Sequence, residues 1–165
     1  MTLSDIKTLY AYNTWANNKI FEALSQLTDE QYMQDMKSSH GGIHGTLTHL
    51  VGAGKVWLAR WKNSSDKEML RTNEISSLSA LISIRKTIED GIDSFINEMS
   101  DEKLQELFTL TTAKGDKYVY SYANMLQHLA NHSTYHRGQI VTMLRQIGVT
   151  PPQTDFSFYL RQQQS

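Results

Sequence analysis

The sequence predicts an all-α protein, a four-helix bundle with one short β-hairpin between its third and fourth helices. Three observations carry that reading. Four long stretches repeat apolar residues at intervals of three and four, the spacing that lines one face of a helix. The only prolines, Pro151 and Pro152, are adjacent and late, so nothing earlier interrupts a long helix. A chain of 165 residues has the size of one domain, here 1–165, in which four amphipathic helices bury their stripes against one another.

The first helix is expected from about Ser4 to Leu27, with Ile6, Tyr10, Asn13, Asn17, Ile20, Leu24 and Leu27 in phase. Thr28 and Gln31 then form the capping-box pattern of a short helical turn. The second helix follows the loop Ser38-Ser39-His40-Gly41-Gly42 and carries Ile43, Leu47, Leu50, Gly54, Trp57 and Trp61 on one stripe. The third runs from about Leu78 to Met99, and Ser100-Asp101 restarts a short helix. The segment LFTLTTAKGDKYVYS places two β-prone runs around Lys114-Gly115-Asp116, a hairpin signal. The fourth helix begins at a Ser121 cap and ends at Gly148, a residue favoured just past a helix C-terminus.

Composition narrows the function. Sixteen basic against seventeen acidic side chains give no excess of positive charge to neutralise phosphates, so the expectation is no nucleic-acid partner. No apolar run approaches the roughly 20 residues that span a bilayer, so no membrane partner is expected and a cytoplasmic location is the default. The absence of cysteine removes disulfides, thiolate metal sites and cysteine nucleophiles together. Six histidines remain as the chemistry-bearing feature, because imidazole is the commonest metal ligand and a near-neutral acid or base.

Two of these histidines sit where the fourth helix should be apolar. Its stripe reads Tyr122, Met125, Leu129, His132, His136, Ile140, Met143 and Ile147, with His128 one turn before His132. Residues four apart on a helix face the same way about 6 Å apart, so such a pair can chelate one ion. Eight residues span about 12 Å, whereas nitrogens bound at about 2.1 Å to a tetrahedral ion lie about 3.4 Å apart. His128, His132 and His136 therefore cannot all be ligands, and either His128 with His132 or His132 with His136 forms the pair. A third ligand must come from another helix, and His49 on the second is the candidate. His40 and His44 are poorer choices and read as loop residues, because Gly41, Gly42 and Gly45 loosen their backbone. The competing explanation is a buried histidine–asparagine hydrogen-bond network. Asn13 and Asn17 enter here, since they interrupt the first helix's stripe as a pocket wall or a support for the site would, unless that stripe is misphased. Trp15, Trp57 and Trp61 read as core and interface residues.

Three neutral imidazoles leave coordination positions open, the catalytic pattern rather than the closed structural one. Nitrogen ligation suits zinc, nickel, copper or iron, and manganese if waters complete the shell. No general base stands out: Glu22, Glu30 and Asp35 fall in polar surroundings.

The run from His128 to Ile140, with its HxxxHRGQ core, resembles the DinB/YfiT-like family of metalloenzymes, many of them without an assigned reaction. Thr48-His49-Leu50-Val51, the opening Tyr12-Asn13-Thr14-Trp15-Ala16-Asn17, and the ending from Pro151 through Phe156 to Leu160-Arg161 match in order, so the resemblance covers essentially the whole chain. It implies a four-helix bundle, a homodimer, and a divalent metal held by His49, His132 and His136, with His128 as a neighbour of the site. More distantly it implies bacillithiol transferase-like and mycothiol-dependent maleylpyruvate isomerase-like chemistry, in which a metal activates a low-molecular-weight thiol. Related iron-dependent sulfoxide synthases use HxxxHxE, and Gly138 in place of that glutamate counts against their reaction.

Two functions are thus expected to compete. One is a metal-dependent enzyme, thiol S-transferase-like or hydrolase-like, acting on a small-molecule substrate. The other is a non-catalytic bundle in which the metal staples helices or the cleft holds a small ligand. Phe156, Phe158, Tyr159 and Leu160 should dock back on the bundle or across a dimer face.

Overall fold

The computed structural model describes residues 1–112 and 114–164; Ala113, which the hairpin reading included, and Ser165, the last residue of the expected domain, lie outside the described residues. Four long helices form the body: α1 (Leu3–Leu24), α3 (Ile43–Trp61), α4 (Leu78–Asn97) and α6 (Tyr122–Gln146). Shorter helices α2 (Asp29–Met33), α5 (Asp101–Gln105) and α7 (Phe156–Gln162) punctuate the connections. Strands β1 (Leu107–Thr111) and β2 (Lys117–Ser121) pair antiparallel, with Leu107 opposite Ser121 and Thr111 opposite Lys117.

The helix starts are chemical. Thr2 and Asp5 close a capping box at α1, Thr28 and Gln31 close another at α2, and Ser77, Ser100 and Ser121 each accept from the backbone N–H three residues on. Two helices stop short of their expected ends. α1 ends at Leu24 because the chain turns at Ser25 toward the Thr28 box, and α4 ends at Asn97 because Ser100 restarts the next helix. Past α6, Gly148 adopts φ +79°, the left-handed conformation that closes a helix C-terminus.

In the bundle α1 packs against α4 and α6, and α3 packs against the same two. Chain neighbours α1 and α3 thus lie across a diagonal, as do α4 and α6, and the long connections, including the hairpin, carry the chain over the ends. This arrangement sets α3 beside α6. Ile6, Ile20, Leu24, Leu47, Leu81, Leu126, Ile140 and Leu144 fill the centre, essentially inaccessible to water, and α5 adds Leu104. Helix α7 docks within the chain: the Tyr12 ring meets Phe156 at 4.9 Å, its hydroxyl donates to the Thr154 carbonyl at 2.9 Å, and the Trp15 indole donates to Gln162 at 2.9 Å. Trp61 is core, stacked on Phe95 at 5.5 Å, whereas Trp57 is half-buried. Among the described residues no helix is long and apolar enough to cross a membrane.

Candidate metal centre

Because α3 and α6 are neighbours, His49 reaches the two α6 histidines. The Nε2 atom of His132 lies 3.2 Å from Nε2 of His49 and 3.1 Å from Nε2 of His136. Two nitrogens bound at about 2.1 Å to one ion are about 3.0 Å apart at right angles and about 3.4 Å apart in a tetrahedron, so the observed spacings fall between the two. The i, i+4 spacing on α6 supplies His132 and His136 from one face, and the crossing of α3 supplies the third.

The tautomer of His136 is set from outside the cluster. Its Nδ1 faces the side-chain oxygen of Gln139 at 2.7 Å, one turn farther along α6. An amide oxygen only accepts, so Nδ1 carries the proton and Nε2 presents its lone pair inward. His49 and His132 are held well below the ordinary histidine value, to about 4 each, first by burial and then by neighbouring imidazoles. Burial likewise lowers His136, while its bond to Gln139 opposes the shift. At neutral pH the cluster is therefore uncharged, the state that a metal ligand requires.

His40 also belongs to this cluster, contrary to the expectation that it is a remote loop residue. It sits on a turn, but its ring stacks on His49 with centroids 4.1 Å apart and planes 17° apart, and it meets His136 edge-on at 5.4 Å. Donor atoms of His40, His49 and His136 all lie within 4.8 Å of one another. The glycines that argued against His40 have the opposite effect: a Cβ at position 45 would come within 1.8 Å of the His40 carbonyl oxygen, so Gly45 lets the turn press against α3. His44 departs from expectation in another way. It lies in the first turn of α3, buried, with its ring nitrogens 3.0 Å from the Tyr32 hydroxyl and 3.2 Å from the Thr72 carbonyl, a satisfied structural histidine. His128 is exposed at the margin, edge-on to Trp57 at 5.5 Å and 6.0 Å from the His132 ring.

Asn13 and Asn17 are buried, so the α1 stripe is correctly phased, but they do not reach the histidines. They serve Arg137, which immediately follows His136 and is 2% exposed. One terminal nitrogen of Arg137 donates to Asn13 at 2.6 Å and Asn17 at 2.9 Å; the other donates to Thr134 at 2.8 Å. The Asn17 amide donates in turn to Glu89 at 2.8 Å, and Glu89 pairs with Arg85 at 3.1 Å. These bonds tie α6 to α1 and α4 and fix its rotation, which aims His132 and His136 at α3. The roles of Gln139, Arg137 and Glu89 escaped the sequence reading. Gln139 stands at the i+3 position from His136, a signal that could have been read; nothing along the sequence pairs Glu89 with Asn17.

The comparisons with known proteins agree with this architecture. The model of the DinB family matches residues 1–165. Protein DinB of Bacillus subtilis strain 168 is 30% identical over 162 residues, covering 92% of this chain and 91% of that protein. The uncharacterized protein YizA of the same organism is 22% identical over 147 residues, 89% of this chain and 91% of the relative. A crystal structure of a DinB-like protein from Bacillus cereus ATCC 10987 superposes with a TM-score of 0.65 at 20% identity, over 92% of this chain and 97% of that one, a likeness of fold. With its helical bundle, its hairpin and three histidines, His40, His49 and His136, positioned to bind a metal ion, the chain belongs to the DinB family.

Proposed function

We propose that the protein is a metal-dependent enzyme, thiol S-transferase-like or hydrolase-like, in which His49, His132 and His136 hold a divalent ion: zinc, nickel, iron or manganese. The observation that carries this reading is the approach of the His132 Nε2 to those of His49 and His136 at 3.2 and 3.1 Å, with the His136 Nε2 left unprotonated by the bond of its Nδ1 to Gln139. Each neutral imidazole keeps one N–H, so with the His136 Nε2 unprotonated at most one of the two Nε2–Nε2 contacts is a regular hydrogen bond, and a cation would complete the other. A divalent ion there supplies Lewis acidity, lowering the pKa of a bound thiol or water.

The remaining work falls to the chain. Gln139 holds the His136 ring in its ligating tautomer, and the Arg137 bonds keep α6 from rotating the pair away. His49 and His132 are only half-buried, so a small molecule reaches the cluster from solvent. With no cysteine in the chain, the thiol of a transferase reaction comes from solution as a low-molecular-weight cosubstrate. A homodimer acting on small molecules in the cytoplasm completes this reading.

The test is the H49A/H132A/H136A variant, assayed for bound metal and for turnover of electrophiles with a panel of thiols. The expected result is a folded protein without metal and without activity; retained turnover overturns the enzyme reading. If chelation instead collapses the thermal stability of the native protein and no thiol or azide perturbs its cobalt-substituted form, the metal staples the helices and the protein is not an enzyme.

A further inference from the structure

His40 stands apart from the other three clustered histidines in how its backbone is held. It lies on the Ser38–Gly42 turn, where Met36 and Ser38 donate to the Gly41 carbonyl at 2.7 and 3.2 Å and Gly41 donates back to Ser38 at 3.0 Å. Gly41 adopts φ +83°, which that turn demands. Gly42 and Gly45 let the turn seat against its neighbours, since a Cβ at 42 would come within 2.1 Å of the Gln34 carbonyl and one at 45 within 1.8 Å of the His40 carbonyl. Two side-chain-free positions thus set the backbone of His40 beside the first turn of α3. Its ring is partly exposed, while His136 is buried.

A cleft beside that ring is lined by His40, Thr48, His49, Met69 and Arg71. Thr48 is 1% exposed, and its hydroxyl has no hydrogen-bond partner among the described residues. His40 lines this opening together with His49, and its donor lies within 4.8 Å of those of His49 and His136. Donors of one tetrahedral ion stand roughly 3.4 Å apart, so His40 would have to close part of that gap to join the site.

We propose that His40 is a fourth imidazole donor to the ion, delivered by the Ser38–Gly42 turn, and that it is the donor an incoming ligand displaces. The proposal rests on the metal reading above. His49, His132 and His136 ride on long helices packed into the core, so they stay; His40 has only its turn to hold it, and the ligand arrives on its side. The exchange is a plain substitution, in which the His40 nitrogen withdraws its lone pair and a thiolate or azide donates one.

The full-length protein loaded with cobalt(II) tests this through its visible spectrum. The wild type should show the intense bands of a four-coordinate ion, and His40→Ala, at the same cobalt stoichiometry, the weaker bands of a higher-coordinate ion with added water. Azide should bind His40→Ala about tenfold more tightly, because it then displaces an exchangeable water rather than a tethered imidazole. X-ray absorption of the zinc-loaded wild type needs no variant and should count four imidazoles. Identical spectra and azide affinities in the two proteins, or a count of three imidazoles, overturn the fourth donor while leaving the three-histidine site intact. Failure of the wild type to take up cobalt or zinc overturns both.

Discussion

His136 and Arg137 are adjacent on α6 and open onto two polar clusters that solve opposite problems. On the Arg137 side the bonds are complementary. Each terminal guanidinium nitrogen meets an oxygen, Asn17 passes a hydrogen bond on to Glu89, and Arg85 balances the carboxylate. On the histidine side like meets like: Nε2 faces Nε2 twice, in a group with no charge of its own at neutral pH. A network of largely matched donors and acceptors stabilises a fold, and here the Arg137 Nε is left without a hydrogen-bond partner among the described residues. Three nitrogens that share at most one bridging proton leave one contact incomplete, which a cation can fill, and folds keep such clusters where something binds. The contrast assigns structure to one face of α6 and chemistry to the other, one residue apart.

Three measurements can break that contrast. The largest effect is expected from Arg137→Ala, which strands Asn13 and Asn17 and leaves a cavity; metal-free stability should fall by about 3–5 kcal/mol in urea unfolding. The triple histidine variant should lose far less in the same metal-free assay. If both lose equally, the histidines are structural too. Next is Gln139→Ala, which frees the His136 tautomer: metal affinity by calorimetric titration should drop about 10–100-fold, with metal-free stability within about 0.5 kcal/mol of the wild type. Unchanged affinity would remove Gln139 from the account of the site.

The smallest effect is a pH slope. His49 and His132 titrate near 4 in the folded protein and near the ordinary 6.5 when unfolded, so between those values the unfolded chain binds more protons. Stability of the metal-free protein is therefore complete above about pH 6.5 and declines as pH falls toward 4. Both rings are partly solvated, which keeps the loss small. Burial raises Glu89 and Asp93, which act in the opposite sense, so the comparison is with H49Q/H132Q, where those carboxyls remain. Parallel slopes in the two proteins would sink the assignment.

Much of the helical architecture was legible because its signals are local. Ser121 and Gly148 bracket α6 by capping chemistry, Thr28 and Gln31 announce α2, and the turn residues Lys114-Gly115-Asp116 separate two strands that do pair. Spacing on α6 left two pairs open, His128 with His132 or His132 with His136, and the family resemblance rather than spacing selected the second, with His49 offered as the partner from its place on another helix. Three readings needed more than spacing. His40 looked loosely held because glycine was read as freedom, whereas at Gly42 and Gly45 the missing side chain permits contact. His44 looked like a loop residue because its helix begins one residue before it. Asn13 and Asn17 do line a pocket, as their place on the α1 stripe suggested, but the partner that claims their side chains, Arg137, lies more than a hundred residues along the chain.

By itself, then, the sequence determined the four long helical segments and the caps that begin several of them, though not every boundary, and that imidazole rather than thiolate must carry any metal chemistry. Those properties depend on residue type and on neighbours within a turn or two. The tertiary structure decided that α3 rather than α1 or α4 faces the α6 histidines, that His40 joins them, and that Arg137 turns away to the asparagines. Helix periodicity defines a buried face without naming what covers it; only the diagonal crossing of the connections, set by how the four apolar stripes fill one core, chooses the partner.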